Sequence, residues 1–286
     1  MIVAAPGSSA NLGPGFDCLA LAVDLPFLLA DAEPDEDGYH PVESTHPAAV
    51  AHAAAGGGAG PLWWRSPIPP GRGLGFSGAA RVAGAFLAAV QRGAAPVPAR
   101  AHALEVATEL EGHAENAAAS VHGGFVVAAG GGTVGLPFPE GVDLVVWSPP
   151  SSTSTTASRR SLPTRVSLED AAANVGAAAT WVAAVATGDL ERLRFACLDR
   201  LHQPTRLEAR PDAAGVLADL IDRADVLAAW LSGSGPSVAA LADTAVAPVV
   251  AASVPASDGG VVRVLGVDRF GVRVLSGPPG PTAPPA

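Results

Sequence analysis

A glycine-rich loop that runs into an alanine-rich helix is the part of the sequence whose residue types most directly suggest chemistry. It reads Pro-Pro-Gly-Arg-Gly-Leu-Gly-Phe-Ser-Gly-Ala-Ala over residues 69–80. Glycines allow positive φ and close approach of the backbone to a ligand, and Ser77 and Gly78 stand where the helix is predicted to begin. Because a helix N-terminus offers free N–H groups and a positive dipole end, the loop predicts a phosphate site. Taken alone, the stretch is also compatible with a glycine-rich linker.

The absence of lysine limits what such a phosphate site can be. All 17 basic residues are arginines. P-loop nucleotide hydrolases and protein kinases hold phosphates with a lysine, so both classes are excluded. Schiff-base and pyridoxal-phosphate enzymes are excluded as well, since they need a lysine amine.

Polar residues gather at four other places. The turn-rich segment 6–17 offers hydroxyl, amide and carboxylate groups. Glu105 and Glu109 are one helical turn apart, so they share a face, and either is a candidate metal ligand. The remaining two are a His113-Ala-Glu-Asn116 cluster and a second serine- and glycine-rich loop in segment 230–241.

Apolar runs and turn formers predict the elements that position these residues. Residues 31–60 are expected to be strand edges and a variable loop. Strands are predicted at 2–5, 18–29, 63–64, 123–128, 142–148, 229–231, 261–265 and 271–275, and helices at 79–91, 99–120 with a break at Gly112, 167–187, 189–201 and 212–223.

Composition restricts the class of protein further. The 286 residues are 49% apolar and 15% charged, which excludes a disordered chain and allows two domains with a real core. The net charge of −10, with scattered arginines, argues against a nucleic-acid partner. No uninterrupted apolar run of membrane-spanning length and no basic signal-peptide start are present, so we expect a cytoplasmic protein with no membrane association.

Three motifs in order carry a resemblance to a known superfamily. Pro-x-Ser-Ser-Ala-Asn-Leu-Gly, Pro-x-x-x-Gly-Leu-Gly-x-Ser and Ser-Gly-Ser-Gly-Pro-Ser resemble the signature motifs of the GHMP kinases. Within this superfamily, the chain is similar to the homoserine kinase family in several segments: Ser8–Asp17, Glu111–Asn116 followed by 121–126, 155–163 and Asp199–Arg206.

The resemblance implies a fold and an activity. The fold is an α+β GHMP kinase fold of two domains, the first like the second domain of ribosomal protein S5 and the second ferredoxin-like. We expect these domains at 1–148 and 149–275, followed by a disordered tail at 276–286. The implied reaction is Mg²⁺-dependent transfer of a phosphoryl group from ATP to the side-chain hydroxyl of L-homoserine, giving O-phospho-L-homoserine for threonine biosynthesis.

Site residues follow from the resemblance position by position. The ATP loop comprises Pro69, Gly71, Gly73, Leu74, Gly75, Phe76, Ser77 and Gly78. Ser77 and Glu105 are the expected Mg²⁺ ligands. The substrate site comprises Asn11, Asp17, His113, Thr155, Arg159, Arg206 and Gly235, and the catalytic residues are Asn116, His113 and Asn11.

Three departures from the family pattern bear on these expectations. Phe76 replaces the first serine of the usual Gly-Leu-Gly-Ser-Ser-Ala-Ala loop, Gly78 an alanine, and Glu115 an aspartate. Asn116 stands where mevalonate kinases have a basic aspartate, so a side-chain base is not expected. The alternatives are a GHMP kinase for another small alcohol, such as an isoprenoid precursor or a sugar, and a non-catalytic binding protein. The sequence leaves the oligomeric state open, with a homodimer as one candidate.

Overall fold

The structure is a computed structural model that describes residues 1–255 and 259–276. Its strands are β1 (Ile2–Ala10), β2 (Leu19–Ala30), β3 (His40–Pro41), β4 (Trp63–Arg65), β5 (Phe125–Ala129), β6 (Gly132–Leu136), β7 (Val142–Ser148), β8 (Ala228–Leu231), β9 (Val238–Asp243), β10 (Val261–Leu265) and β11 (Arg273–Ser276). Its helices are α1 (Pro47–Ala54), α2 (Phe76–Gln91), α3 (Pro96–Glu111), α4 (Glu115–His122), α5 (Thr155–Arg160), α6 (Leu168–Thr187), a 3-10 helix (Leu190–Phe195), α7 (Gln203–Glu208), α8 (Pro211–Ile221) and α9 (Ala247–Ser253).

The first sheet is built on the long antiparallel pair β1 and β2. Its order is β11-β1-β2-β4-β3, and β5 pairs with the other end of β2 and with β6. The prediction that the first strand ends at Ala5 is wrong, because the pairing with β2 continues to Ala10 after a shift in register between Pro6 and Gly7. A bulge accommodates a residue without an N–H in a paired strand. The extra length places Ser8 and Ser9 on a buried strand rather than in a loop.

Helices α2 and α4 pack on the first sheet, and α3 packs on these two helices. The alanine-rich face of α2 is buried as predicted, and Gly84 lets this helix approach α1 closely, since a Cβ there would lie 2.1 Å from the Ala48 carbonyl oxygen. Helix α1 was missed in the segment 31–60. Its start is set locally, by Pro47 in the first turn and by the His46 side chain, which accepts from the Ala48 N–H.

The second sheet is antiparallel, in the order β10-β7-β9-β8, with α8 and α9 packed on one face. Trp181 of α6 connects it to the first sheet: its ring lies 5.5 Å from that of Trp230 in β8 and 6.2 Å from that of Phe125 in β5. One continuous apolar cluster therefore runs through both sheets.

Sheet pairing does not coincide with the predicted division at residue 148. Strand β7 lies before this position yet pairs with β9 and β10 of the second sheet, and β11 returns to pair with β1. A strand completes its hydrogen bonds wherever an edge is free, regardless of the order of the chain. The two-domain division stays a prediction, and the predicted tail lies beyond the described residues apart from Ser276, which ends β11.

The helices predicted for the second half of the chain also need correction. The predicted helix 189–201 is a 3-10 helix that ends at Phe195, because Asp199 accepts the backbone N–H groups of Leu201, His202 and Gln203 and so starts α7 instead. Helices α5, α7 and α9 were missed. The break at Gly112 is confirmed, with φ at 79°. Among the described residues, no helix is both long and apolar enough to cross a membrane.

Candidate active site

The glycine loop has the geometry that its composition suggests. Gly71, Gly73 and Gly75 adopt φ values of 67°, 71° and 72°, a region that other residues rarely enter. Helix α2 begins directly afterwards at Phe76, and no side chain of the described residues caps its free N–H groups. These donors therefore point into the loop, as required for an anion.

Residues from the two other motifs hold this loop in place. The Ser8 N–H donates to the Leu74 carbonyl oxygen at 3.1 Å, and the Ser232 hydroxyl donates to the Gly73 carbonyl oxygen at 2.7 Å. The packing leaves no room for side chains: a Cβ on Gly73 would lie 2.1 Å from the Ser232 carbonyl oxygen, and one on Gly75 would lie 2.2 Å from the Ser8 hydroxyl. Three motifs far apart in the chain thus form one structure.

A cavity of about 220 Å³ lies where the motifs meet. It is lined by all eight predicted ATP-loop residues and by most of the predicted substrate and catalytic residues. The full lining is Asn11, Asp17, Pro69, Gly71, Arg72, Gly73, Leu74, Gly75, Phe76, Ser77, Gly78, Glu111, His113, Glu115, Asn116, Thr155, Arg159, Arg206, Gly233 and Ser234. Of the predicted site residues, Glu105 and Gly235 lie outside this lining.

One end of the cavity carries an ion pair between two predicted substrate residues. Arg159 donates to both carboxylate oxygens of Asp17, at 2.7 and 2.8 Å, and these bonds raise the pKa of the guanidinium. Its guanidinium also lies over the Phe16 ring, 5.4 Å from the centroid. Thr155 approaches the same end through a 3.3 Å contact with the Ser234 hydroxyl. This end of the cavity therefore presents one anionic and one cationic group side by side.

Asp17 is presented by a strained loop. Asn11, Leu12 and Asp17 have positive φ values of 71°, 46° and 56°, and such strain persists only where the surroundings impose it. The Asn11 amide holds the loop, since its oxygen accepts from the Asp17 N–H at 3.1 Å and its nitrogen donates to the Gly233 carbonyl oxygen at 2.9 Å. Asn11 is 4% exposed and thus positions Asp17.

Arg206 supplies a second cationic group, and a buried histidine orients it. One guanidinium nitrogen lies 3.0 Å from His202 Nδ1 and 3.0 Å from the Gly233 carbonyl oxygen. Because a guanidinium only donates, Nδ1 accepts, and the imidazole proton is on Nε2, which donates to the Gly13 carbonyl oxygen at 2.8 Å. Burial lowers the pKa of Arg206 to about 10 and that of His202 to about 4, so the arginine is charged and the histidine neutral at pH 7.

The amide of Asn116 is already engaged in the protein. Its oxygen accepts from the Ser8 hydroxyl at 2.8 Å, and its nitrogen donates to Glu115 at 2.8 Å. Glu115 is 2% exposed and also lies 2.9 Å from His113 Nδ1, which raises the pKa of His113. The longer side chain at position 115 therefore bridges His113 and Asn116.

The predicted metal ligand Glu105 lies away from the glycine loop. Its side chain is 79% exposed and lines a different groove, beside residues 128–133. Six residues separate it from Glu111 at the end of α3, so the two side chains point roughly 120° apart around the helix axis. Glu111, the last residue of α3, reaches α2 instead, where Arg81 contacts both its carboxylate and the Ser77 hydroxyl.

Phe76, the main departure in the loop, belongs to an aromatic cluster. Its ring meets those of Phe27 and Trp64 edge-on, each at 5.5 Å between centroids, and those two rings stack on each other at 5.6 Å. Edge-to-face pairs of this kind are stabilising beyond the area that they bury. The substitution thus replaces a hydroxyl by packing that anchors the start of α2.

The chain is similar to known proteins both in sequence and in fold. The family model described as GHMP kinases C terminal matches residues 181–258. A homoserine kinase from Thermus thermophilus is 42% identical over 252 residues, covering 83% of this chain and 85% of that protein. The chain belongs to the homoserine kinase family.

Other members of the homoserine kinase family extend the match to nearly the whole chain. The homoserine kinase of Streptomyces avermitilis is 37% identical over an alignment of 294 residues, covering 96% of this chain and 95% of that protein. The crystal structure of a homoserine kinase from Cytophaga hutchinsonii has a TM-score of 0.80 at 26% identity, covering 96% of this chain and 97% of that one. The predicted family and the α+β GHMP kinase fold are confirmed.

The prediction from the sequence left out several residues of this site. Glu111 stood inside the quoted Glu-Gly-His-Ala-Glu-Asn motif, and its place directly before the helix-ending Gly112 was the available signal. Phe16 and His202 also lay inside quoted motifs. Nothing local marked Arg81, because a single arginine on an apolar helix is most simply read as solvent-exposed.

Proposed function

We propose that this protein transfers the γ-phosphoryl group of ATP to the side-chain hydroxyl of L-homoserine and so feeds threonine biosynthesis. The observation that carries the proposal is one cavity with a backbone anion site at one end and the Asp17, Arg159 and Arg206 charges at the other. A phosphate donor and a zwitterionic acceptor require this combination, because an amino acid presents an ammonium and a carboxylate together.

Acceptor binding uses an ion pair that exists before the substrate arrives. Asp17 receives the ammonium group, while Arg159, Arg206 and Thr155 receive the carboxylate. Since Asp17 and Arg159 already neutralise each other, the zwitterion exchanges one set of ion pairs for another and leaves no charge unpaired. A neutral sugar would leave these groups without charged partners.

Nucleotide binding uses the loop N–H groups and two hard oxygen ligands. The hydroxyl of Ser77 and the carboxylate of Glu111 both reach one guanidinium group, so they are close enough to share a cation. Oxygen donors of this kind fit Mg²⁺, which takes few protein ligands and completes its shell with phosphates and water. When bound, Mg²⁺ neutralises charge that develops on the phosphates.

The chain's own residues contribute positioning and charge rather than a base. The Asn116 oxygen is occupied by the Ser8 hydroxyl, and its amide does not take up protons at physiological pH. His113 carries a raised pKa beside Glu115, which favours a cation that stabilises negative charge over a group that removes a proton. Positioning of this kind accounts for most catalysis in phosphoryl transfer.

A coupled ADP-release assay tests the proposal. Purified protein with MgATP is offered L-homoserine, mevalonate, galactose, L-serine and L-threonine in parallel. We expect saturable turnover with L-homoserine that far exceeds the others. Turnover of a different alcohol alone would refute the acceptor assignment, and silence with all five would favour a non-catalytic protein. The homodimer and the cytoplasmic location stay predictions.

A further inference from the structure

Arg81 occupies the two oxygens that the proposed function assigns to a divalent cation. It lies one helical turn after Ser77 on α2, and its Nη1 contacts both the Ser77 hydroxyl and a carboxylate oxygen of Glu111. The contacts are sheltered, since the Arg81 and Glu111 side chains are 20% and 13% exposed. A guanidinium therefore sits at the mouth of the anion loop, between its two hard ligands.

A guanidinium and a divalent cation compete for these two ligands. Both would take electron pairs from the same hydroxyl and carboxylate, and three positive charges would meet one carboxylate at short range. Like charges a few ångströms apart at a partly buried site repel strongly. Arg81 must therefore leave Ser77 and Glu111 before these oxygens coordinate a metal.

The surroundings allow Arg81 to leave. A second opening of about 580 Å³ adjoins the main cavity and is lined by Arg81, Thr155, Thr156 and Arg160, among others. The Arg81 Nε is buried and finds no hydrogen-bond partner among the described residues. The Arg81 side chain is only 20% exposed where it lies, so its charge gains hydration by moving into the opening.

We propose that Arg81 is a resident counter-cation, which neutralises Glu111 and blocks metal binding until a nucleotide brings its own divalent cation. This inference rests on the proposed function, because it assumes that Ser77 and Glu111 are metal ligands. Without nucleotide, Arg81 holds both oxygens. With nucleotide, the added phosphate charge favours the metal, and Arg81 swings toward Thr156. Metal uptake is thereby coupled to nucleotide uptake.

Mn²⁺ binding to the nucleotide-free protein tests this proposal without any turnover. Free Mn²⁺ is followed by electron paramagnetic resonance in the wild type, in Arg81→Met and in Arg160→Met. The last variant removes the same charge from the same opening, and no hydrogen bond or ion pair of Arg160 to Ser77 or Glu111 exists among the described residues. We expect Arg81→Met to bind Mn²⁺ at least about tenfold more tightly than the wild type, and Arg160→Met to stay within about twofold. The gain should vanish in the double variant with Glu111→Gln.

Several outcomes would overturn the proposal. Equal Mn²⁺ affinity in wild type and Arg81→Met would show that the guanidinium does not compete, and equal gains in both arginine variants would reduce the effect to general electrostatics. Should Arg81→Met fail to fold, Arg81→Gln takes its place, and the unaltered protein must still bind Mn²⁺ far more tightly with a non-hydrolysable ATP analogue than without. If neither the wild type nor any variant binds Mn²⁺ even with the analogue, the metal part of the proposed function is refuted instead.

Discussion

The two ends of the active-site cavity differ in the groups that form them, backbone at one end and side chains at the other. The nucleotide end consists mainly of backbone: three glycines with positive φ and the open start of α2. The acceptor end consists of side chains that come from residues 17, 159 and 206, on three separate segments. A backbone site is encoded in one short stretch and tolerates the change at Phe76, whereas a side-chain site depends on every element that carries one of its groups.

The largest effect is expected at Gly73, where the glycine loop touches the third motif. In Gly73→Ala the new Cβ would lie 2.1 Å from the Ser232 carbonyl oxygen, so the loop and the third motif must separate. We expect kcat/KM to fall by about three orders of magnitude, roughly 4 kcal/mol of transition-state stabilisation. Steady-state kinetics measures this.

Gly93→Ala is the matched control for that change. Gly93 has a similar φ of 84°, but nothing among the described residues lies within 4 Å of its Cβ position. Its substitution should cost about 1 kcal/mol of stability and leave the kinetics unchanged. If both variants lose activity equally, backbone strain rather than the contact between the loop and the third motif is responsible.

Asp17→Asn separates the two ends. Removal of this charge leaves Arg159 without its partner and the substrate ammonium without an anion. We expect kcat/KM for L-homoserine to fall by roughly 100- to 1000-fold, while KM for MgATP changes by less than about threefold. Asp24→Asn, at an exposed position of β2, serves as the control. A parallel rise in both KM values would mean that the ends are not independent.

Glu111→Gln and Glu105→Gln compare the ligand that the structure favours with the one predicted from the sequence. Glu111 lies at the nucleotide end beside Ser77 and Arg81, whereas Glu105 lines another groove. Loss of the Glu111 charge should lower kcat/KM by about 100-fold, with partial recovery at high Mg²⁺, and loss of the Glu105 charge should change it by less than about twofold. The reverse order of effects would restore the original assignment.

The last prediction concerns stability rather than activity, at the acceptor end. His202 is fully buried and neutral, with a pKa lowered from 6.5 to about 4. Because its unfolded form binds a proton more readily, the free energy of unfolding should fall as pH drops from 6.5 toward 4, by on the order of 3 kcal/mol in total. Urea titrations at pH 7, 6, 5 and 4 measure this slope. His202→Asn should flatten it; an unchanged slope would assign the acid sensitivity to other groups.

Prediction from the sequence worked best where structure is local. The glycine loop, the helix after it and the break at Gly112 depend on residues within a few positions, and all three were found. Helix α1 was missed although His46 and Pro47 set its start locally. Strand β1 was misjudged because Pro6, Gly7 and the two serines after them are turn formers, while pairing with β2 decides its structure. Propensity is a weak guide where tertiary contacts oppose it.

For the site, the sequence by itself determined the family and the residue types, because its three motifs each carry their chemistry in consecutive residues. Only the tertiary structure decided which groups meet. It put Glu111 rather than Glu105 near Ser77, placed Arg81 on both proposed metal ligands, and paired Asp17 with Arg159. The physical reason is that the contacts Arg81–Glu111 and Asp17–Arg159 join side chains 30 and 142 positions apart in the chain. Spacing along a helix reports its faces, but only packing determines what each face touches.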